Sequence, residues 1–322
     1  MAKYLLKRLG TSIITFVLVS FVVYFLIDAT GDPARQALGT DYTEEQYQAK
    51  LEEYGLDAPF LARYGTWLIH FVMGDMGQSF IDKGETGVVA KQVISGLGPT
   101  FALASISMVV VLVIAIPLGI FAAKHKNGVG DGAVVSASLL GISVPVFVLC
   151  AVLMFIFAAK WKVLPVAGYR SPLEGGAGEF IRYMILPVAS LSVLNIAYVT
   201  RMTRSAMLDV LGTDYIKSAK AKGLRQSKVF YKHALKNAFN VILTVIGQTF
   251  ASMLAGAAVV ETFFNIPGMG VLLIKYINKS DYNMILGFVM TICLIFIVIN
   301  LVVDLLYGVF DPRVRVAGKA VN

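Results

Sequence analysis

A basic, polar stretch from Asp209 to Asn240 interrupts an otherwise largely apolar chain, and its side chains suit binding rather than covalent catalysis. The interval Arg201–Lys236 contains nine Lys or Arg residues and two Asp residues. At roughly 2.5–3.5 kcal/mol per charge at a bilayer centre, burying all of them would cost on the order of 25–40 kcal/mol. The stretch is therefore predicted to lie in water, between two membrane spans.

The same stretch shows helical order. One helix is predicted from about Met202 to Lys222, ending at Gly223, a residue type that suits a helix C-terminus. Ser227 is positioned to cap a second helix, Lys228–Asn237. The face proposed for docking carries residues at i, i+3/i+4 spacing: Tyr215, Ile216, Ala219 and Gly223.

Small residues in the first helix favour close approach by another protein. Ser218, Ala219, Ala221 and Gly223 leave the backbone accessible, and the surrounding lysines would suit an acidic or polar cleft. The alternative is a solvated basic loop, in a membrane scaffold, that binds anionic lipid headgroups. Helical order with a glycine turn at a set position favours protein docking.

No sequence element assigns a catalytic or ATP-binding role to the chain. It contains no G-x4-G-K-[ST] motif and no HExxH motif, so neither an intrinsic P-loop nor zincin chemistry is expected. Cys150 and Cys293 lie within apolar runs, where small buried side chains are expected rather than a disulfide or a metal site. We therefore expect a non-enzymatic chain with no cofactor of its own.

Charge-free runs of about 18 or more residues predict an all-α polytopic membrane protein with six spans. These spans are Leu9–Ile27, a second from about Pro99 to Ala123, Gly132–Ala159, Tyr183–Thr200, Asn237–Val260 and Tyr282–Val303. Pro117 and Pro145 are expected to kink their helices. Only 15% of residues are charged, against about 25% in soluble domains. One transmembrane domain, residues 1–322, is predicted.

The charge distribution predicts the orientation of this domain. Six spans place both termini on one side, together with the loop 201–236 and a tail, 304–322. That side holds 17 of the 28 basic residues but five of the 20 acidic residues. The positive-inside rule places it in the cytoplasm. The net charge of +8 therefore reflects topology and does not indicate nucleic-acid binding.

The largest extracytoplasmic segment, residues 28–91, is acidic and is predicted to contain two helices. Thr43-x-x-Gln46 is typical of a capping box, and the helix that it opens should stop near Gly55. After Pro59, apolar residues recur at helical spacing: Phe60, Tyr64, Trp67, Leu68 and Phe71. This second helix is predicted to pack on the bundle as a lid, to receive an external delivery protein, or both.

The types of polar residue within the spans indicate how transport would be powered. No span centre carries Asp, Glu, Lys or Arg, whereas ion-coupled secondary carriers usually bury such groups on their path. An external energy source is therefore favoured over a self-sufficient carrier. Gln248, Ser252 and Gly256 recur at i, i+4, i+8 on the fifth span, which is consistent with pore lining or with small-residue helix packing.

The docking stretch also carries a family resemblance. Lys217-Ser218-Ala219-x3-Gly223, followed by His233-Ala234-Leu235, resembles the EAA loop of binding-protein-dependent ABC importer permeases, EAA-x3-G-x9-I-x-LP. Ala219, Gly223 and Leu235 match that pattern, while Lys217 stands where the common pattern has Glu. The form of the loop resembles the "TARAKGL…RHALRNA" of the peptide/nickel branch.

Four further segments resemble the first permease subunit of the same peptide/nickel ABC importer family, in the same order. They are Lys7–Ala34, Gly74–Phe80, Val259–Gly270 and Asn300–Arg315. The resemblance covers essentially the whole chain. Within Val259–Gly270, Gly268-Met269-Gly270 resembles a re-entrant turn, so a short scoop back toward the bundle is predicted; the alternative is a plain turn followed by an interfacial helix, Val271–Ile277.

The resemblance implies a type I ABC importer permease in a bacterial plasma (inner) membrane. Such a chain would form a pore with a second, similar permease and would receive substrate from an extracytoplasmic binding protein. One or two P-loop ATPase subunits would hydrolyse ATP with magnesium. The implied coupling residues are Tyr215, Lys217, Ser218, Ala219, Gly223 and Leu235. Oligopeptides are favoured over dipeptides as substrate, and peptides over nickel or a metal chelate.

Overall fold

The fold is helical throughout the part of the chain that is described. The computed structural model describes the backbone of residues 2–39 and 41–310, and side chains from residue 6 to residue 306 except residues 36 and 40. Most of the predicted tail, 304–322, lies outside these residues. Within them the only β-pairing is an isolated bridge between Gln78 and Val88.

Thirteen α-helices occupy the described residues. The first seven are α1 (Ala2–Thr30), α2 (Pro33–Leu38), α3 (Glu44–Tyr54), α4 (Phe60–Val72), α5 (Val89–Lys124), α6 (Val129–Ser143) and α7 (Val146–Leu153). The others are α8 (Pro172–Leu211), α9 (Asp214–Ala221), α10 (Gln226–Lys228), α11 (Lys236–Phe264), α12 (Met269–Lys279) and α13 (Tyr282–Phe310). Two π-helical segments, Met154–Lys160 and Val229–Leu235, follow α7 and α10.

The helices confirm the predicted set of membrane spans. Five are long and apolar enough to cross a membrane: Leu6–Thr30, Val89–Lys124, Pro172–Leu211, Gln226–Phe264 and Tyr282–Leu306. A sixth candidate is the pair Val129–Ser143 and Val146–Lys160, which is bent by 96°. Each of the six predicted spans falls within one of these.

The bend in the third span lies at Pro145, where a kink was predicted. Val144 takes an extended conformation, with ψ 120°, and Pro145 becomes the N-cap of α7. The pyrrolidine ring disfavours helical geometry in the preceding residue and removes one backbone donor. The result is a break between two helices. By contrast, α5 remains helical through Pro117.

The predicted start of the second span at Pro99 is wrong, since α5 begins ten residues earlier, at Val89. Packing against α12 explains the extension. The Thr100 hydroxyl accepts a hydrogen bond from the Met269 backbone nitrogen at 2.8 Å. A Cβ added to Gly96 would lie 3.0 Å from the same nitrogen. Val89 and Val93 join Met269 and α13 residues in one buried cluster. These tertiary contacts override the tendency of proline to begin a helix.

The described residues form two compact units. The large unit contains Phe101–Ile266 together with residues 2–6 and 299–310, and the small unit contains residues 7–100, of which residue 40 is not described, and Pro267–Val298. In the large unit α8 packs on α11, α6 and α7. Helix α5 approaches α8 closely at Gly119, where an added Cβ would lie 2.7 Å from the Thr200 carbonyl oxygen.

In the small unit the two helices predicted for the 28–91 segment are present. Thr43 and Gln46 form a reciprocal capping box at α3, and Gly55 ends that helix with φ 65°. Helix α4 follows Pro59 and packs its aromatic residues on α1. The loop between α4 and α5 is tied to the start of α13, because the Asp281 carboxylate accepts hydrogen bonds from the Ser79 hydroxyl and the Phe80 backbone nitrogen.

At Gly268–Gly270, where a scoop back toward the bundle was predicted, the chain makes a turn and enters a helix that packs against α5. Asn265 takes a left-handed conformation (φ 50°) that ends α11, and the Ile266 nitrogen donates to the Glu261 carbonyl at 2.9 Å. Helix α12 begins at Met269 and contains Gly270. It is also longer and more deeply buried than an interfacial helix, since the Met269 and Tyr276 side chains are almost completely enclosed.

Candidate functional site

The predicted docking residues lie in the segment 212–235, which connects α8 to α11 and which we call the elbow. The single helix predicted for 202–222 is wrong, because the chain breaks after Leu211. Thr213 is extended (ψ 153°), and its hydroxyl donates to the Val210 carbonyl at 2.6 Å. Asp214 then opens α9, where its negative charge interacts favourably with the helix N-terminus.

Gly223 ends α9 as predicted. It has φ +75°, a left-handed conformation that glycine adopts without steric penalty. Its backbone nitrogen donates to the Lys220 carbonyl at 3.0 Å, while the Lys222 nitrogen donates to the Ser218 carbonyl at 3.1 Å. The glycine therefore turns the chain sharply at the exposed end of the elbow.

The second predicted helix is not a separate element. It begins at Gln226, with Arg225 as its N-cap, so Ser227 lies inside the helix and does not cap it. The chain continues through the π-helical segment into α11 as one rod, Gln226–Phe264. No Gly or Pro occurs between residues 226 and 246 to stop it. Movement of the elbow would therefore act directly on a membrane span.

The inner face of α9 is a packing surface. Ile216 is fully buried in a cluster with residues of α8, the π-helical segment and α11, including Met207, Phe230 and Ile242. Ala219 and Leu235 are half-buried against the same cluster. The sequence interpretation that placed Ile216 on the docking face is therefore wrong: this side chain anchors the helix.

The outer face of α9 is open. Tyr215 is 44% exposed, and Lys217, Ser218 and Gly223 are exposed as well. The Lys217 ammonium lies 2.8 Å from the Asp214 carboxylate, but both groups are so exposed that the pair contributes little to stability. The Tyr215 hydroxyl is 3.5 Å from the His233 carbonyl, a long hydrogen bond. The exposed residues thus form a small polar surface on a rigidly held helix.

The candidate pore residues share one open face of α11. Gln248, Ser252 and Gly256 are all exposed, and a Cβ built on Gly256 would meet no atom within 4 Å. The neighbouring positions Thr249 and Met253 are buried in the large unit. The stripe therefore points away from the core of its own unit. Its role in lining a pore stays a prediction.

Sequence reasoning missed an ion pair next to the elbow. Asp131 at the start of α6 binds Arg204 of α8 through two contacts, Nε to Oδ1 at 2.5 Å and Nη2 to Oδ2 at 2.7 Å. The Asn127 backbone nitrogen donates to the same carboxylate at 2.9 Å. Asp131 is buried. The only sequence signal was an acidic residue in the first turn of an otherwise apolar helix.

Comparison with known families identifies the class of protein. Residues 115–316 match the family described as "Binding-protein-dependent transport system inner membrane component". Residues 1–87 match "Binding-prot-dependent transport system membrane comp, N-term". The first match covers more than half of the chain. The chain belongs to this family.

Relatives of this permease align along its full length. It is 38% identical over 317 residues to the probable peptide ABC transporter permease protein y4tP of Sinorhizobium fredii, covering 98% of this chain and 100% of the relative. It is 36% identical over 321 residues to the dipeptide transport system permease protein DppB of Bacillus subtilis, covering 99% and 100%. The DppB protein of Escherichia coli is 34% identical over 339 residues, covering 98% and 99%.

A solved structure shares the fold. One chain from the MetNI methionine ABC transporter, in an inward-facing conformation, aligns with a TM-score of 0.56 at 16% identity and covers 71% of this permease and 100% of that chain. The likeness shows a shared fold, and together with the family match it confirms the predicted permease architecture. The permease is thus a multi-pass inner-membrane protein and a non-catalytic component of an ABC importer, a class that in general works with a second permease, ATPase subunits and a binding protein.

Proposed function

We propose that this permease forms the translocation pathway of a peptide importer together with a second permease, and that the elbow couples it to ATP hydrolysis in partner subunits. The observation that carries the coupling proposal is the two-sided environment of α9. Ile216 is locked into the core, while Tyr215, Ser218 and Gly223 stay open for a partner. Force applied to the open face is transmitted through the buried face to α8 and to the rod that contains α11.

Peptide is the proposed substrate because full-length relatives at 33–38% identity are described as peptide or dipeptide permeases. Oligopeptides are favoured, and an extracytoplasmic binding protein delivers them. In this mechanism ATP and magnesium bind to the ATPase subunits, which change conformation and move the elbow. The termini and the elbow then lie in the cytoplasm, as the positive-inside rule predicts.

Coupling is tested in the complete importer, reconstituted with the binding protein and the ATPase subunits. Ser218 is exposed and helical, so replacing it changes the open face without disturbing the core. Ser218→Trp should reduce ATP-driven peptide uptake at least ten-fold and weaken co-purification of the ATPase. The matched control Ser218→Ala should behave as the wild type. Unchanged uptake and co-purification for Ser218→Trp would refute docking at this face.

Substrate class is tested separately with the wild-type complex. Uptake of labelled dipeptides, longer peptides and a nickel chelate is measured with ATP present. Saturable uptake of peptides without uptake of the nickel chelate supports the proposal. Uptake of the chelate without uptake of peptides would contradict it and would assign the chelate as the substrate. A further reconstitution of the permease without partners, under a proton or sodium gradient, should give no uptake. Transport by the lone chain would overturn the coupling scheme.

A further inference from the structure

Helix α4 presents three chemically distinct faces. Aromatic residues at 60, 64, 67 and 71 contact α1. A second face is aliphatic and open: Leu61, Ile69 and Val72 are exposed by 69%, 55% and 72%, and with Leu68 they span about 100° of the helix circumference. The third face is polar and carries Arg63, Thr66 and His70. An ordinary surface helix exposes polar residues where α4 exposes aliphatic ones.

The contacts between α4 and α1 indicate how deeply α4 lies relative to the first span. The two helices run antiparallel, because the Phe60 ring meets Phe25 near the end of the first span and the Phe71 ring meets Phe16 in its middle. Between these contacts the Tyr64 hydroxyl lies 2.8 Å from Ser20 Oγ and 3.1 Å from the Val17 carbonyl. The step from Phe25 to Phe16 is about 14 Å along a helix. Helix α4 therefore follows α1 to roughly half the depth of the span Leu6–Thr30.

An ion pair joins α4 to α1 at the outer end of their contact. Arg63 binds the Asp28 carboxylate at the end of α1, with Nη1 to Oδ1 at 2.7 Å and Nη2 to Oδ2 at 3.1 Å. Its Nε atom donates to the Ala58 carbonyl at 3.0 Å. Asp28 lies three residues beyond Phe25, so the charged groups are at the outer end of the contact series. Only uncharged contacts lie deeper on the α1 side.

A cavity of about 440 Å³ adjoins the polar face. Thr66 and His70 of α4 line it, together with Tyr54, Asp75 and Asn283. Non-helical backbone is tolerated at membrane depth only where protein buries it or a water-filled cavity receives it. The loop that follows α4 contains Asp75 and meets this requirement at the cavity. A cavity of this size, lined in part by polar side chains, is what a dipping helix needs at this level.

We propose that α4 is a re-entrant helix, with its aliphatic face in the acyl chains of the leaflet nearer Thr30 and its polar face on a water-filled vestibule. Lipid is the occupant because α1, the helix on which α4 packs, itself exposes apolar side chains along its length, with Leu18 and Val22 61% and 53% exposed. Of the 18 residues that mark this span, only 6% are buried. The inference does not depend on the transported substrate, and under the charge-based orientation the leaflet is the outer one.

Accessibility of single cysteines tests both faces at one depth. In the full importer, with Cys150 and Cys293 replaced by alanine, cysteines are placed at Ile69, Val72 and His70. Glu52 on α3 serves as the aqueous control and Leu18 on α1 as the lipid control, since both are exposed. A membrane-impermeant methanethiosulfonate should modify positions 70 and 52 at rates within about ten-fold of each other. Positions 69, 72 and 18 should react at least 100-fold more slowly.

Nitroxide labels at the same positions identify what covers the aliphatic face. At positions 72 and 18, collision with oxygen should dominate over collision with a polar nickel complex, as in acyl chains. Fast aqueous modification of positions 69 and 72 would overturn the proposal, because α4 would then lie in water. Slow modification combined with poor oxygen access would also overturn the proposal, because the aliphatic face would then be covered by protein. If positions 69 and 72 are protected only when the binding protein is present, the binding protein is what covers this face. ATP-driven uptake shows that each variant has folded.

Discussion

The Nζ atom of Lys279 lies 2.6 Å from Oδ1 of Asp82, joining the end of α12 to the loop before α5 across 197 residues of sequence. This hydrogen bond lowers the pKa of Asp82 below its ordinary value of 3.8, against the opposing effect of partial burial. A carboxylate whose pKa is lower in the folded than in the unfolded protein stabilises the fold at pH values above its unfolded-state pKa. That contribution is lost as the pH falls through its folded-state pKa.

Asp82→Asn should therefore lower the apparent melting temperature of the detergent-solubilised protein at pH 7. The difference from the wild type should shrink as pH falls below about 4, because the wild-type carboxylate then becomes protonated too. Glu85→Gln is the matched control, since Glu85 pairs with Lys91 but is 90% exposed. If the melting temperature of Asp82→Asn differs from that of the wild type by the same amount at pH 7 and pH 3, the charged Asp82 carboxylate does not stabilise the fold.

Ile216→Ala should destabilise the large unit by about 2–5 kcal/mol, because it leaves a cavity in a fully packed cluster. The loosened α9 should also uncouple ATP hydrolysis from peptide uptake. Denaturant unfolding and the ratio of uptake to hydrolysis measure the two effects. Ser218→Ala, on the open face, should change stability by no more than about 0.5 kcal/mol. Equal effects of the two substitutions would show that α9 does not have a buried and an open side.

Gly223 should accept asparagine but not glutamate. Asparagine visits the left-handed region more readily than other side chains, so Gly223→Asn retains the turn at φ +75°. Gly223→Glu adds backbone strain of about 1–2 kcal/mol and a longer, charged side chain at the exposed end of α9. We expect normal uptake for the first variant and loss of uptake and of ATPase co-purification for the second. Full activity of Gly223→Glu would remove this residue from the docking surface.

Replacing one partner of the Asp131–Arg204 pair should destabilise the protein more than replacing both. Arg204→Leu leaves a buried carboxylate without its cation and should cost about 3–5 kcal/mol. The double variant Asp131→Leu/Arg204→Leu should recover much of that loss, because neither charge then remains. Unfolding of both single variants and the double variant, compared as a thermodynamic cycle, measures the coupling. Additive losses would show that the two side chains act independently.

Two helix glycines should respond to alanine with opposite signs. At Gly119 the new Cβ would lie 2.6 Å from Thr203 Cβ and 2.7 Å from the Thr200 carbonyl, so Gly119→Ala should destabilise by about 1–3 kcal/mol. Gly256 has open space and should gain about 0.5–1 kcal/mol from the alanine helix preference. Thermal unfolding of both variants decides this. Stabilisation by Gly119→Ala would mean that α5 and α8 are not in close contact.

Much of the architecture follows from local sequence. Apolar runs long enough to cross a bilayer predicted six spans, and the helices contain all of them. The capping box at Thr43 and the glycine stops at Gly55 and Gly223 were also predicted correctly. The spans depend on the composition of one continuous run of residues. The cap and the glycine stops depend on residues within three or four positions of one another, whose hydrogen bonds and backbone preferences act whatever the rest of the chain does.

The errors share a different cause. The start of α5 and the burial of Ile216 depend on contacts between residues far apart in sequence. The union of α10 with α11 is the exception, because the lack of Gly or Pro between residues 226 and 246 can be read from the sequence itself. Helix propensity is weak compared with burial of an apolar face, so packing with α12 extended α5 past a proline. The Asp131–Arg204 pair joins residues 73 positions apart, which no single-sequence pattern could match.

By itself, the sequence determined that this chain is a polytopic membrane protein with a basic, glycine-turned loop outside the bilayer. Composition and local spacing suffice for that, since transfer free energies and helix ends depend on individual residues and their neighbours. Only the tertiary structure decided which side of α9 is anchored and how far α4 follows α1 into the membrane. Both are set by side-chain contacts between separate helices, which exist only once the chain has folded.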